Sequence, residues 1–175
     1  MPQFGADTII PRDVQLILMD CFETLIELGD RGYFPRRGIS EFLRFFVRDR
    51  QVPVVVISDA SEELIVSALK QAAVRHLIQG IYHADNAEEI LPDGRRRKRL
   101  DVPLRDFHLT GPDAVFIGDS PLDAAAAHHH QLPFIRVPRS EDSAFSFASL
   151  ITGPSRYQSA DFTALMLERY RPKAP

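Results

Sequence analysis

Apolar residues in this chain gather in short unbroken runs: Val14 to Met19, Val52 to Ile57, Ile81-Tyr82, Ala114 to Ile117 and Phe134 to Val137. A strand with one wet face alternates apolar and polar residues, whereas a strand covered on both faces stays apolar throughout. The runs therefore predict strands of a parallel sheet buried between two layers of helices. The expected fold is α/β, a doubly wound, three-layer Rossmann-like sandwich.

Between the first two runs, Ile39, Phe42, Leu43, Phe46 and Val47 recur at helical spacing, which predicts a helix over Ile39 to Arg48 with one buried face. Ser61 followed by Glu62 and Glu63 predicts a capped helix start, with early acids favourable at its positive end, running towards Val74. Pro121-Leu122-Asp123 opens a further helix that Pro133 limits to about Gln131. Ser140 to Ser159 is irregular, and a last helix is expected over Phe162 to Tyr170. The reading is one domain over residues 1–175, with a core of about 14–137 and a C-terminal extension over 138–175. It contains no internal repeat.

Composition narrows the class. An apolar share of 45% and a charged share of 26% are those of an ordinary globule. A formal net charge of −3 argues against a surface that coats nucleic acid generally, so any anion-binding region must be local. Cys21 is the only cysteine, which excludes an internal disulfide and a cysteine-rich zinc cluster and points to a reducing cytoplasm. No apolar run approaches the ~20 residues that span a bilayer, and Met1 to Arg12 lacks a leader pattern. Secretion and membrane insertion are not expected.

Two strand ends carry the chemistry. Val14 to Met19 runs into Asp20-Cys21-Phe22-Glu23-Thr24-Leu25, and Ala114 to Ile117 runs into Gly118-Asp119-Ser120-Pro121-Leu122-Asp123. A single Asp after a strand is ordinarily a turn or a helix cap, but two such sites on neighbouring strands put Asp20 and Asp119 across one crevice. Paired carboxylates there suit Mg²⁺, held by Asp20, Asp119 and the backbone carbonyl of Phe22, with Asp123 reaching the site directly or through water. Asp20 can attack phosphorus, and Thr24 can help position the phosphoryl group. Ser58 ends the second strand and can donate to a phosphate oxygen; Asp59 reads as a cap. In the run Arg95-Arg96-Arg97-Lys98-Arg99, Lys98 is the cation chosen to balance phosphate and aspartates, while Arg97 and Arg99 steer an anionic substrate. A solvated loop is the alternative for the arginines. His128-His129-His130 is not expected to bind metal, because consecutive histidines on a helix diverge by about 100° and do not converge on one ion; the run is read as a solvated helix end. Cys21 is read as a small buried filler.

In this order the residues resemble the haloacid dehalogenase superfamily, over about Val14 to Val137. By that resemblance Asp20 is the nucleophile, Ser58 the phosphate-binding hydroxyl, Lys98 the charge-balancing lysine, and Asp119 and Asp123 the metal-binding acids. Within it, Glu23-Thr24-Leu25, Arg37 to Leu43 and Lys98-Arg99-Leu100 look like the small phosphatases acting on phosphorylated polymerase tails. The superfamily inserts cap domains after the first motif or between the second and third; neither interval here has room for a large one, and Leu25 to Phe34 fits only a flap hairpin turning at Gly29-Asp30. By the resemblance an open site implies a bulky substrate, such as a phosphoprotein or a nucleic-acid end, or else cover borrowed from another subunit. One departure stands out: the phosphatases carry an acid–base Asp two residues after the nucleophile, and this chain has Phe22. Glu23 should point away from the site. Three functions follow as expectations: a slow or atypical Mg²⁺-dependent phosphohydrolase; a binding or regulatory protein that kept the pocket and lost turnover; and a carbon–halogen hydrolase, which shares an aromatic residue at position 22 but has no use for Asp119 and Asp123.

Overall fold

A computed structural model describes residues 10–152 and 169–170. The expected apolar runs become strands β1 (Leu16–Met19), β4 (Val54–Ile57), β5 (Gly80–Tyr82), β8 (Ala114–Gly118) and β9 (Phe134–Arg136). They pair in parallel in the order β5-β4-β1-β8-β9. Arg169–Tyr170, expected to end the last helix, instead forms β10, antiparallel to the β9 edge; the rest of that expected helix lies outside the described residues.

Both faces of the sheet are dry. Ile17 and Met19 of β1 join Val54, Val56, Val115 and Ile117 in one core, while Leu16 and Leu18 join Val55, Ile57, Ala114 and Phe116 in the other. Alternate residues of each strand thus serve opposite layers, which is why the runs contain no polar positions.

The helices begin as their caps dictate. Ser61 accepts from the Leu64 N–H at 3.4 Å to start α2 (Glu62–Gln71). Ser120 accepts from the Asp123 N–H at 3.1 Å, with Pro121 following, to start α4 (Pro121–His129). The expected helix over Ile39 to Arg48 is α1 (Ile39–Leu43) followed by a π-helical stretch, Arg44–Asp49, in which the Arg50 N–H reaches Phe45 O. That wider turn keeps Phe46 buried against Phe42, at 4.8 Å between ring centroids. α3 (Asp101–Asp106) and α5 (Ala148–Thr152) are short.

Two hairpins stand at the carboxyl ends of the strands. β2 (Ile26–Gly29) and β3 (Gly32–Pro35) form the expected flap. β6 (Glu88–Ile90) and β7 (Arg96–Lys98) form a second one, which the basic run had not announced. The segment after Val137 packs back onto the β1 side of the domain. Arg36, 4% exposed, donates to the carbonyls of Glu23 (2.7 Å) and Arg139 (3.2 Å) and lies over the rings of Phe145 and Phe147. Gly38, at φ 80°, lets the chain after Arg139 pass so close that a Cβ would meet the Phe147 nitrogen at 2.9 Å.

Candidate active site

Strand order reverses direction at β1: the chain goes first to β4 and β5, later to β8 and β9. The crevice outside such a switch point is where open α/β sheets bind ligands, and the carboxylates fall there. Asp20 follows β1, its N–H held by the Ile117 carbonyl of β8 at 2.9 Å. Asp119 follows β8. Asp123, on the first turn of α4, tucks under both because residue 118 is glycine; a Cβ there would meet the Asp123 side chain at 2.5–2.8 Å. Ligand atoms of Asp20, Asp119 and Asp123 lie within 4.8 Å of one another.

Lys98 enters this cluster from β7. Its Nζ lies 2.7 Å from Asp20 Oδ1 and 2.6 Å from Asp123 Oδ1, and its side chain is 13% exposed. Burial drives the Asp20 carboxyl up to about 7; Lys98 pulls it down, and Asp123 adds to the rise. Burial alone would lower Lys98, but Asp20 and Asp123 carry it above its ordinary value. One ammonium is thus firmly charged while the carboxylates around it are undercompensated. The donor set fits a hard cation: oxygens only, net negative, with Asp123 Oδ2 buried and lacking a hydrogen-bond partner among the described residues.

If Lys98 is the main countercharge, Lys98→Met should destabilise the protein by ~3–5 kcal/mol, because a broken buried pair leaves carboxylates unpaired. Thermal unfolding in chelator at pH 7.5 should shift down by roughly 10 °C, and less at pH 5, where Asp20 is protonated. An unchanged midpoint at both pH values would remove Lys98 from this role.

Other expected site residues are placed differently. Thr24 is fully buried, and its hydroxyl lies 3.2 Å from Asp20 Oδ2 and 3.0 Å from Asp119 Oδ1, so it holds the carboxylates instead of lining the cleft. Ser58 is buried after β4 with its Oγ accepting from the Ala60 N–H at 3.2 Å; the exposed Asp59 lines the cleft in its stead. Arg97 lines the cleft and pairs with Glu89, but Arg99 does not line it and pairs with Asp101 at 2.7 Å. On a strand, alternate residues face opposite ways, and Arg96 and Lys98 share one side. The basic run is therefore neither a solvated loop nor a uniform anion trap: Arg96 and Arg97 pair with Glu88 and Glu89.

Phe22 lines the cleft and stacks edge-on against Tyr33 at 5.4 Å. Glu23, in left-handed backbone at φ 61°, turns away as expected and accepts from the Ser140 N–H and hydroxyl. Cys21 is fully buried, and burial, with Asp20 adding, pushes its thiol up. Two charged cleft residues escaped the sequence reading: Glu88, which pairs with Arg96, and, after β9, Arg139, whose Nε lies 3.4 Å from Asp119 Oδ2. The signal for Arg139 is that place, in a loop on the ligand-binding edge of the sheet. The whole cleft encloses about 550 Å³.

The pattern of the haloacid dehalogenase-like hydrolases matches residues 20–137. No curated protein matches the chain. Among solved structures, the chain is similar to a haloacid dehalogenase-like family hydrolase from Streptococcus pneumoniae, at 13% identity and TM-score 0.58 over 86% of this chain and 93% of that one. A dehalogenase is similar at 10% identity and TM-score 0.61, over 91% and 100% of the two chains. The 3-deoxy-D-manno-octulosonate 8-phosphate phosphatase of Yersinia pestis is similar at 13% identity and TM-score 0.50, over 85% and 74%. At these identities the likeness is one of fold.

Proposed function

Because the chain belongs to the haloacid dehalogenase-like hydrolase family, we propose that it is a Mg²⁺-dependent phosphohydrolase working through an aspartyl-phosphate on Asp20. The observation that carries this reading is the convergence of Asp20, Asp119 and Asp123 around the Lys98 ammonium. Asp20, Asp119 and the Phe22 carbonyl would hold the cation, with Asp123 supporting. When bound, it would neutralise charge on the transferring phosphoryl oxygens.

The chain's own groups do the rest. The Asp20 carboxylate attacks phosphorus, and the leaving oxygen departs with the bond's electron pair. Lys98 compensates the anionic charge and the Thr24 hydroxyl orients the carboxylates. Water then attacks the aspartyl-phosphate, returning Asp20 and releasing phosphate. With only the two hairpins standing over the cleft among the described residues, we read the site as open, for a phosphoprotein or nucleic-acid end. No helix of the described residues is long and apolar enough to cross a membrane.

Hydrolysis of an activated aryl phosphate tests this proposal. Turnover should appear with Mg²⁺ and vanish in excess chelator; full activity in chelator would sink the metal-dependent mechanism. A second reading rests on Phe22, since no acid occupies that position: a binding protein that retains phosphate and metal without turnover. Phosphate-analogue binding with no hydrolysis would favour it.

A further inference from the structure

One cluster outside the carboxylate cleft has no part in this chemistry. Glu89 lies on β6, His129 ends α4, and His130 forms the α4 cap; their ligand atoms lie within 4.8 Å of one another. The two rings meet edge-to-face at 4.7 Å between centroids. The expectation of a solvated helix end thus fails for His130, whose side chain is only 12% exposed. The helix stops there, and Gln131 turns the chain at φ 61°.

His130 is the telling residue. Among the described residues its Nε2 is buried without a hydrogen-bond partner, and its Nδ1 faces Asp101 Oδ1 at 3.8 Å. A buried unpartnered nitrogen calls for an explanation. A carboxylate behind an imidazole is the arrangement that orients the ring and aims its far lone pair at a metal. Arg97 engages only Oε1 of Glu89, at 2.8 Å, which leaves Oε2 for an ion.

We propose that Glu89, His129 and His130 form a second cation site, for Zn²⁺ or a similar borderline transition ion. Two imidazoles and one carboxylate are a zinc donor set with a fourth position for water, and they suit Mg²⁺ poorly. The site joins β6 to the end of α4. β7, the partner of β6, carries Lys98, and α4 carries Asp123, so the ion clasps the hairpin and the helix that meet in the cleft.

The test is equilibrium dialysis of Zn²⁺ against the full chain without a polyhistidine tag, in excess Mg²⁺. Wild type and Asp119→Asn should bind Zn²⁺ alike, whereas His129→Ala and His130→Ala should each weaken binding by at least about tenfold. Co²⁺ in place of Zn²⁺ should give a visible spectrum of nitrogen ligation that is lost with either histidine. Absence of Zn²⁺ binding, or binding that survives both substitutions, overturns the proposal. His129 is exposed, so its variant decides the matter even if His130→Ala fails to fold. The readout is binding, and it stands apart from the fate of the hydrolase reading.

Discussion

Asp20→Asn is expected to lower kcat for an activated aryl phosphate by on the order of 10⁴-fold or more, as loss of a covalent nucleophile does. The amide keeps the shape of the carboxylate and still accepts from the Lys98 ammonium, so the loss reports chemistry and not collapse. A stability measurement on the same variant makes that separable. The Asp20 pKa in the fold is raised from 3.8 to about 7 by burial, so the folded state holds the proton longer than the unfolded chain. With the folded state binding more protons in this window, stability of the metal-free protein falls as pH climbs from about 4 to about 7. In Asp20→Asn that fall should be missing, and in chelator at pH 7.5 the variant should melt no lower than wild type. Activity within tenfold of wild type would exclude Asp20 as nucleophile.

Phe22→Asp should act in the other direction. Residue 22 lines the cleft two positions after Asp20, where a carboxyl can protonate a leaving oxygen and later take a proton from water. General acid–base assistance is worth ~10²–10⁴ in rate. The gain should be confined to phosphate esters with poor, alkoxide-like leaving groups, since an activated aryl phosphate needs little protonation. The substitution gives up the ring contact with Tyr33, at a cost of about 1 kcal/mol. Steady-state rates on an alkyl and an aryl phosphate check it. Equal, negligible change on both in a folded variant would mean that position 22 is not what limits this site. An inert wild type awakened by the substitution would favour the binding-protein reading.

The sheet was legible because burial on both faces writes an unbroken apolar run, as at Leu16–Met19 and Val54–Ile57. The same physics hid β6 and β7. A hairpin above the sheet buries little, so its pattern is polar, and its sign is instead the matching of Glu88 and Glu89 to Arg96 and Arg97 across a Pro92-Asp93-Gly94 turn. Asp20, Asp119 and Asp123 could be picked out as strand-end and helix-start acids. Lys98 could be chosen from its arginine neighbours as the balancing cation and matched to the family's lysine, but a basic run does not itself say which side chain points inward. The Thr24 and Ser58 contacts depend on loop geometry after the strands, and Arg139 on a segment whose composition resembles any surface loop.

The buried Arg36 strut has a consequence for how the protein is made. The loop bearing Asp20 is held by parts that leave the ribosome long after it: the Ser140 clasp on Glu23, the Arg139 carbonyl, and the Phe145 and Phe147 rings beneath the guanidinium. Chains emerge at about 5–20 residues per second and fold from the first residues onward. Asp20 is therefore synthesised well before the segment that fastens its loop. A nascent or prematurely terminated chain carrying all of the strand-end aspartates still lacks the latch that sets their loop.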